Sequence, residues 1–109
     1  MLGQDLDALL RSRGESVVSL GSAGCDVTEL ETVQRVIGDH APDVVVNCAA
    51  YTAVDAAESD EAAAFALNGT GAFNVARTAQ AADAQLVHVS TDYVFDGRAE
   101  EPYDVEHPQ

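Results

Sequence analysis

The chain is predicted to fold as an α/β domain with a doubly wound, parallel β-sheet. Predicted strands and helices alternate along the sequence, which is typical of such sheets. Residues 44–48 form a nearly unbroken apolar run, as expected for a strand buried on both faces of a parallel sheet. A further apolar run, residues 85–90, passes straight into a hydroxyl-rich turn. Ligands of open α/β sheets bind at the carboxyl ends of strands, so this turn is the first candidate for a site.

The first half of the chain predicts two helices and one strand. Residues 4–13 carry leucines at helical spacing and predict an amphipathic helix, which Gly14 ends. Residues 16–20 predict a strand. Thr28 is predicted to be the N-cap of the second helix, because acidic residues follow it where the helix dipole favours them. Pro42 marks the exit from that helix.

The second half predicts a long helix between two strands. Residues 44–48 and 85–90 are the strands, and the alanine-rich residues 55–82 between them predict the helix. The glycines within residues 68–71 weaken this helix, and they either permit close packing against the sheet or mark a break. Beyond Gly97 the chain is acidic, contains proline and predicts a loop.

Composition excludes several classes of function. The 109 residues suffice for one small domain, and 47% of them are hydrophobic. The net charge of −14, with no lysine among the basic residues, argues against nucleic acid as a partner. Neither a membrane-spanning run nor a signal peptide is recognisable, so we expect a cytoplasmic protein with no membrane partner. Cys25 and Cys48 lie too far apart for a metal motif, and no metal site is predicted.

The turn after the last strand has two interpretations. Ser90, Thr91, Asp92 and Tyr93 form a polar cluster that could line a sugar or nucleotide pocket. The same residue types are also common in turns that simply end a strand. Because cationic side chains are scarce, an anionic ligand must be held mainly by backbone N–H groups and a helix N-terminus.

Several motifs together resemble one family. The matching segments are Met1 to Gln4, Cys25 to Thr28, Pro42 to Asp55 (PDVVVNCAAYTAVD), Ala57-Glu58, Asn68 to Thr70 and Val87 to Gly97 (VHVSTDYVFDG). They resemble the extended short-chain dehydrogenase/reductases, and within these the dTDP-4-dehydrorhamnose reductase family. The resemblance implies that residues 1–109 are a partial NAD(P)-binding Rossmann domain. As an internal fragment, the chain is expected to lack the first strand of the sheet, its C-terminal part and the C-terminal substrate domain.

By this resemblance the chain belongs to an enzyme that reduces the 4-keto group of dTDP-4-dehydro-L-rhamnose with NADPH or NADH. The cofactor-binding residues implied are Leu2, Gly3, Asp26, Val27, Ala49, Ala50, Tyr51, Thr52 and Val89. Gly3 would be the last glycine of the phosphate turn, while Asp26 and Val27 would flank the adenine. On their residue types alone, Asp26 is equally a loop residue before a helix, and Ala49-Ala50 a tight turn.

Thr91 is implied to be the catalytic hydroxyl, which hydrogen-bonds the substrate oxygen where negative charge develops. Asp92 and Tyr93 would join it in binding the nucleotide-sugar substrate. The family's proton donor is a tyrosine with a lysine four positions later, and this sequence contains no such pair. We therefore expect the 109-residue chain to be inactive alone. Absence of the strand between residues 16–20 and 44–48 is also expected to weaken its fold.

Alternative functions remain open on the sequence. One is a non-catalytic regulatory subunit like that of methionine adenosyltransferase, and another is a different nucleotide-sugar reductase or epimerase. A third is a stand-alone acidic nucleotide-binding module. No arginine follows Leu20 in the Gly21 to Gly24 loop, which disfavours strict use of NADPH. A homodimer is left open for the full-length protein.

Overall fold

A computed structural model describes residues 1–106 as an α/β fold. In chain order the elements are α1 (Leu2–Ser12), α2 (Leu30–His40), β1 (Val44–Asn47), α3 (Val54–Ala57), α4 (Glu61–Phe65), a π-helical segment (Ala66–Gly71), α5 (Ala72–Ala81), β2 (Gln85–His88) and a 3₁₀ turn (Asp92–Val94). The sheet of the described residues contains β1 and β2, which are parallel. Both strands and the amphipathic first helix were predicted within a few residues of their observed bounds.

The core lies between one face of this sheet and two helices. Val33 and Ile37 of α2 pack with Val75 of α5. Val45 and Leu86, which are opposite each other in the strand register, pack against this cluster from the sheet. The small core thus depends on helix-to-sheet burial, and it holds β1 and β2 in register.

The opposite face of the sheet is exposed, contrary to the prediction of strands buried on both faces. Val44 and Val46 retain 48% and 37% of their accessible surface, and Val87 of β2 is similarly exposed. The accessible surface is 8258 Å², whereas a compact monomer of this mass exposes about 5,800 Å². The valines on this exposed face therefore contribute less to the free energy of folding than they would in a sheet covered on both faces.

The prediction of a strand at residues 16–20 was wrong. No strand forms there, because the described residues offer it no neighbouring strand with which to pair. Its contact with α1 is a side-chain hydrogen bond, in which the Arg11 guanidinium donates to the carbonyl of Val17 at 3.1 Å. The apolar pattern at Val18 and Leu20 therefore lies exposed outside the sheet.

Of two helix ends predicted from local residues, the one at Gly14 is observed and the one at Thr28 is not. Gly14 has a φ of +80° and closes α1, as predicted. Its N–H donates to Arg11 O at 3.0 Å, while the N–H of Glu15 reaches Leu10 O at 3.1 Å, which together form a Schellman motif. Thr28 is not the N-cap that was predicted: α2 begins two residues later, and the Thr28 hydroxyl bonds to a neighbouring carboxylate instead.

The predicted helix over 55–82 is divided into α3, α4, the π-helical segment and α5. Residues 68–71 do not break the chain out of helical conformation. Gly71 lies in the α-helical region and is buried, so its lack of a side chain serves close packing. Gly71 thus permits close packing, but its neighbour is Val27 in the loop before α2 and not the sheet, as had been weighed.

Candidate functional site

Three of the predicted segments meet at the carboxyl edge of the sheet. Because β1 and β2 are parallel, residues 48–52 and 89–93 leave the sheet at the same edge. The first turn of α1 reaches this edge as well: a Cβ atom built on Gly3 would lie 3.6 Å from Cys48 Cβ. Ligand-binding candidates that are distant in sequence are thus neighbours in the fold.

Asn47 organises the start of both loops. Its side chain is only 5% exposed. Its Nδ2 lies 3.2 Å from His88 Nδ1, and its Oδ1 accepts the Ala49 N–H at 3.1 Å. The backbone carbonyl of Asn47 accepts the Val89 N–H at 3.2 Å. This residue was missed at the sequence level, although a single buried asparagine at the end of a valine strand is a recognisable signal.

The loop after β1 is held by Asn68 of the π-helical segment. Asn68 Oδ1 accepts the Tyr51 N–H at 2.8 Å, and Asn68 Nδ2 donates to the Tyr51 carbonyl at 3.2 Å. One amide side chain thus satisfies both backbone groups of Tyr51 and fixes the path of residues 49–52. Asn68 was quoted as part of a motif but was not predicted to belong to the site. The π-helical winding around it is a feature often associated with functional sites.

The other end of the same helical region holds Val27. Gly71 packs so tightly that a Cβ atom there would lie 2.7 Å from Val27 Cγ2. The buried Asn74 donates its Nδ2 hydrogens to the carbonyls of Val27 and Thr28, each at 3.1 Å. Asn74 was also missed by the sequence analysis. Residues 66–74 therefore support two predicted cofactor-binding segments, the 26–27 segment and the 49–52 loop.

Asp26 is exposed and ionised. Its Oδ1 accepts the Thr28 N–H at 2.9 Å and the Thr28 hydroxyl at 2.7 Å, which lowers the pKa of the carboxyl below its usual value. Both bonds go to Oδ1, so within residues 1–106 Oδ2 accepts no protein hydrogen bond. Burial raises the pKa of the adjacent Cys25 thiol. The positive charge of Arg35 partly opposes this increase, and the negative charge of Asp26 adds to it. Cys25 therefore stays protonated near neutral pH.

Thr91 begins the 3₁₀ turn that follows β2. Its Oγ1 accepts the Tyr93 N–H at 3.2 Å, and its hydroxyl donates to Asp92 Oδ1 at 3.4 Å. Tyr93 is 77% exposed. The hydroxyl-rich cluster is therefore a capped turn with an exposed rim, and the two interpretations of its sequence are compatible.

Exposure along the rest of the edge leaves room for a ligand. Leu2, Ala50 and Thr52 are exposed, and Ala49 is half-buried. Within residues 1–106 no cluster of three or more His, Cys, Asp or Glu side chains is arranged to hold a metal ion. Over the same residues, no helix is both long and apolar enough to cross a membrane.

Comparison with known proteins identifies the family. The family described as the RmlD substrate binding domain matches residues 1–109. The dTDP-4-dehydrorhamnose reductase of Streptomyces griseus is 47% identical over 108 residues, which are 99% of this chain and 36% of that protein. The dTDP-4-keto-6-deoxy-D-glucose reductase of Streptomyces niveus is 46% identical over 103 residues, which are 94% of this chain and 36% of that protein.

A solved structure agrees with the fold as well as with the sequence. The crystal structure of dTDP-4-dehydrorhamnose reductase from Bacillus anthracis in complex with NADP has a TM-score of 0.93 and 38% identity, covering 98% of this chain and 38% of that one. The predicted partial Rossmann-type fold is thereby confirmed. The chain spans about 36% of the length of the curated relatives it matches. It belongs to the dTDP-4-dehydrorhamnose reductase family, that of the RmlD substrate binding domain.

Proposed function

We propose that residues 1–109 form part of an NAD(P)-binding domain that presents NADPH to a dTDP-linked 4-keto sugar. The observation that carries this proposal is the convergence of Gly3, residues 48–52 and residues 89–93 at one edge of the sheet. The proposed reaction is reduction of the 4-keto group of dTDP-4-dehydro-L-rhamnose. The names of the relatives support this class of substrate.

The shape and chemistry of the edge fit a dinucleotide. Gly3 lies in the first turn of α1, where the Gln4 and Asp5 N–H groups bond to the Met1 carbonyl and the N–H groups of Leu2 and Gly3 remain to bind a pyrophosphate. Ala49 and Ala50 are small, so a ligand can approach the backbone that Asn47 and Asn68 hold in place. Backbone recognition also suits a chain with a net charge of −14.

We assign the adenine to the segment that the π-helical region supports. Ionised Asp26 would accept a hydrogen bond from the adenine amino group through Oδ2, while Val27 packs against the ring. Tyr51, Thr52, Leu2 and Val89 would line the remainder of the cofactor.

The nicotinamide supplies the hydride when it is bound. On the protein side, we assign the Thr91 hydroxyl to orient the substrate carbonyl oxygen, with Asp92 and Tyr93 beside it in the sugar pocket. Thr91 Oγ1 accepts the Tyr93 N–H and donates its hydrogen to Asp92 Oδ1 at 3.4 Å, a long bond that a substrate oxygen would replace. This arrangement would stabilise the negative charge that develops on the oxygen.

We propose NADPH rather than NADH as the main cofactor, although no arginine follows Leu20. The complex of the Bacillus anthracis relative contains NADP, which supports this choice over the preference suggested by the loop sequence. Parallel titrations with the two cofactors separate them: tighter binding of NADH would contradict the assignment.

Binding is tested by titrating the 109-residue chain with NADPH and following nicotinamide fluorescence. Ala50→Leu should weaken binding about tenfold or more, because a larger side chain keeps the ligand from the backbone. Ala81→Leu is the matched control, since Ala81 is exposed at the end of α5, toward the opposite edge of the sheet. Absence of saturable binding to the wild-type chain, or equal losses in both variants, would contradict the proposed site.

Turnover is a separate question. The sequence contains no lysine, and hence no tyrosine–lysine pair to donate the proton. We expect the chain to bind NADPH without oxidising it in the presence of dTDP-4-dehydro-L-rhamnose. Substrate-dependent loss of absorbance at the NADPH band would show that this expectation of inactivity is wrong.

A further inference from the structure

The chain after the 3₁₀ turn folds back on itself around Tyr103. The Tyr103 hydroxyl donates to Asp96 Oδ1 at 2.9 Å and accepts the Ala99 N–H at 3.0 Å. Its ring stacks on Phe95, with centroids 4.5 Å apart and planes 8° from parallel. Gly97 has a φ of +70°, which lets the chain reverse between these contacts. We call residues 95–103 the closing loop.

The closing loop is directly joined to the turn that carries Thr91. The Phe95 N–H donates to the Asp92 carbonyl at 3.0 Å, and the Tyr93 N–H donates to Thr91 Oγ1 at 3.2 Å. Before the turn, the Val89 N–H donates to the carbonyl of Asn47 in β1 at 3.2 Å, which attaches the chain to the sheet. The hydroxyl-rich turn is therefore held at both ends, by the sheet and by the closing loop.

We propose that Tyr103 is a positioning residue that fixes the Thr91 turn in the geometry needed to bind the nucleotide sugar. This rests on the proposed function of that turn. Tyr103 acts through Phe95 and Asp96 and does not itself need to touch the substrate. Its hydroxyl is occupied by a carboxylate and a backbone N–H, an arrangement suited to holding a loop.

Two variants separate the two kinds of contact that the Tyr103 side chain makes, ring stacking and hydrogen bonding. Tyr103→Phe keeps a ring that can stack on Phe95 but removes both hydroxyl hydrogen bonds. Tyr103→Leu removes the stacking as well. Val105→Ala is the control, because Val105 lies in the same terminal segment and is 99% exposed.

The first readout is amide hydrogen exchange, which requires no ligand. Tyr103→Phe should speed exchange of the Tyr93 and Phe95 N–H groups by roughly three- to tenfold, as expected for the loss of supporting hydrogen bonds. Exchange of the Val75 N–H in the core should change less than about twofold. Tyr103→Leu should have a larger effect at the turn, and Val105→Ala none.

The second readout is affinity for two probes, dTDP and NADPH. Tyr103→Phe should weaken dTDP binding about three- to tenfold while NADPH binding changes less than about twofold. Unchanged exchange at Tyr93 and Phe95, or equal acceleration at Val75, would overturn the proposal, the latter by indicating only a general loss of stability. Localised exchange without dTDP binding to the wild-type chain would instead reject the proposed substrate site and retain the mechanical role of Tyr103.

Discussion

Replacement of Gly71 by alanine is the sharpest test of how the π-helical region supports the candidate site. Gly71 has φ −61° and ψ −47°, so alanine suits its backbone and would ordinarily gain about 1 kcal/mol of helix propensity. The new Cβ atom, however, would lie 2.7 Å from Val27 Cγ2 and 3.5 Å from the Ala66 carbonyl oxygen. Overpacking of this kind costs about 1–3 kcal/mol.

Gly38 provides a matched control within α2. A Cβ atom at Gly38 would meet nothing within 4 Å. Gly38→Ala should therefore raise the free energy of unfolding by about 0.5–1 kcal/mol. Gly71→Ala should be less stable than Gly38→Ala by about 1–3 kcal/mol, the cost of the contact with Val27.

The assay is urea unfolding of both variants, followed by circular dichroism. Adding Val27→Ala to Gly71→Ala should recover part of the loss, because it removes the methyl group that the new Cβ atom meets. The double-mutant cycle then reports a favourable coupling. Equal stabilisation by Gly38→Ala and Gly71→Ala, with no coupling to Val27, would refute the close-packing argument.

Three other changes test the supports of the site and one helix end. Thr28→Val removes a hydrogen bond that lowers the pKa of Asp26, so the variant should be less stable than wild type above about pH 4. This difference should shrink as the pH falls through the lowered pKa. A difference between the urea midpoints of variant and wild type that is the same at pH 7 and at pH 3 would contradict this. Asn74→Ala should cost about 1–3 kcal/mol by leaving two carbonyls unpaired, measured by urea unfolding, and a cost below about 0.5 kcal/mol would speak against it. Asp83→Gly should raise the free energy of unfolding by about 0.5–1 kcal/mol, because Asp83 has a φ of +56°, which glycine adopts more readily. Ala82→Gly, where φ is −91°, should lower it. A thermal melt in which Ala82→Gly is the more stable of the two variants would exclude this explanation of the helix end.

Local patterns predicted the elements whose ends carry their own signals. Gly14 ended the first helix as predicted, because a left-handed residue and its two backbone bonds are specified within a few residues. Thr28 was misassigned, because its side chain turns toward Asp26, to which the hydroxyl donates, and does not accept an N–H of α2. Residues 16–20 have the composition of a strand, yet a strand exists only where another strand completes its hydrogen bonds.

The candidate site was predicted in part by its motifs. Residues 49–52 and the Thr91 turn were identified from their sequence, and the parallel strands bring them to one edge. The supporting residues Asn47, Asn68 and Asn74 were not identified. Asn47 stands at the end of a valine strand, which is a local signal. Asn68 and Asn74 bond to backbone groups that are 17 and 47 residues away in the chain, so no local pattern could reveal their roles.

By itself the sequence determined the α/β class, the family and the segments that are candidates for chemistry, because these depend on periodicity and on motifs read along the chain. Only the tertiary structure decided which backbone groups the asparagines hold, how closely Gly71 meets Val27, and that Tyr103 closes a loop behind the Thr91 turn. These features depend on distances between residues far apart in the chain. Such distances arise only when the helices pack on the sheet.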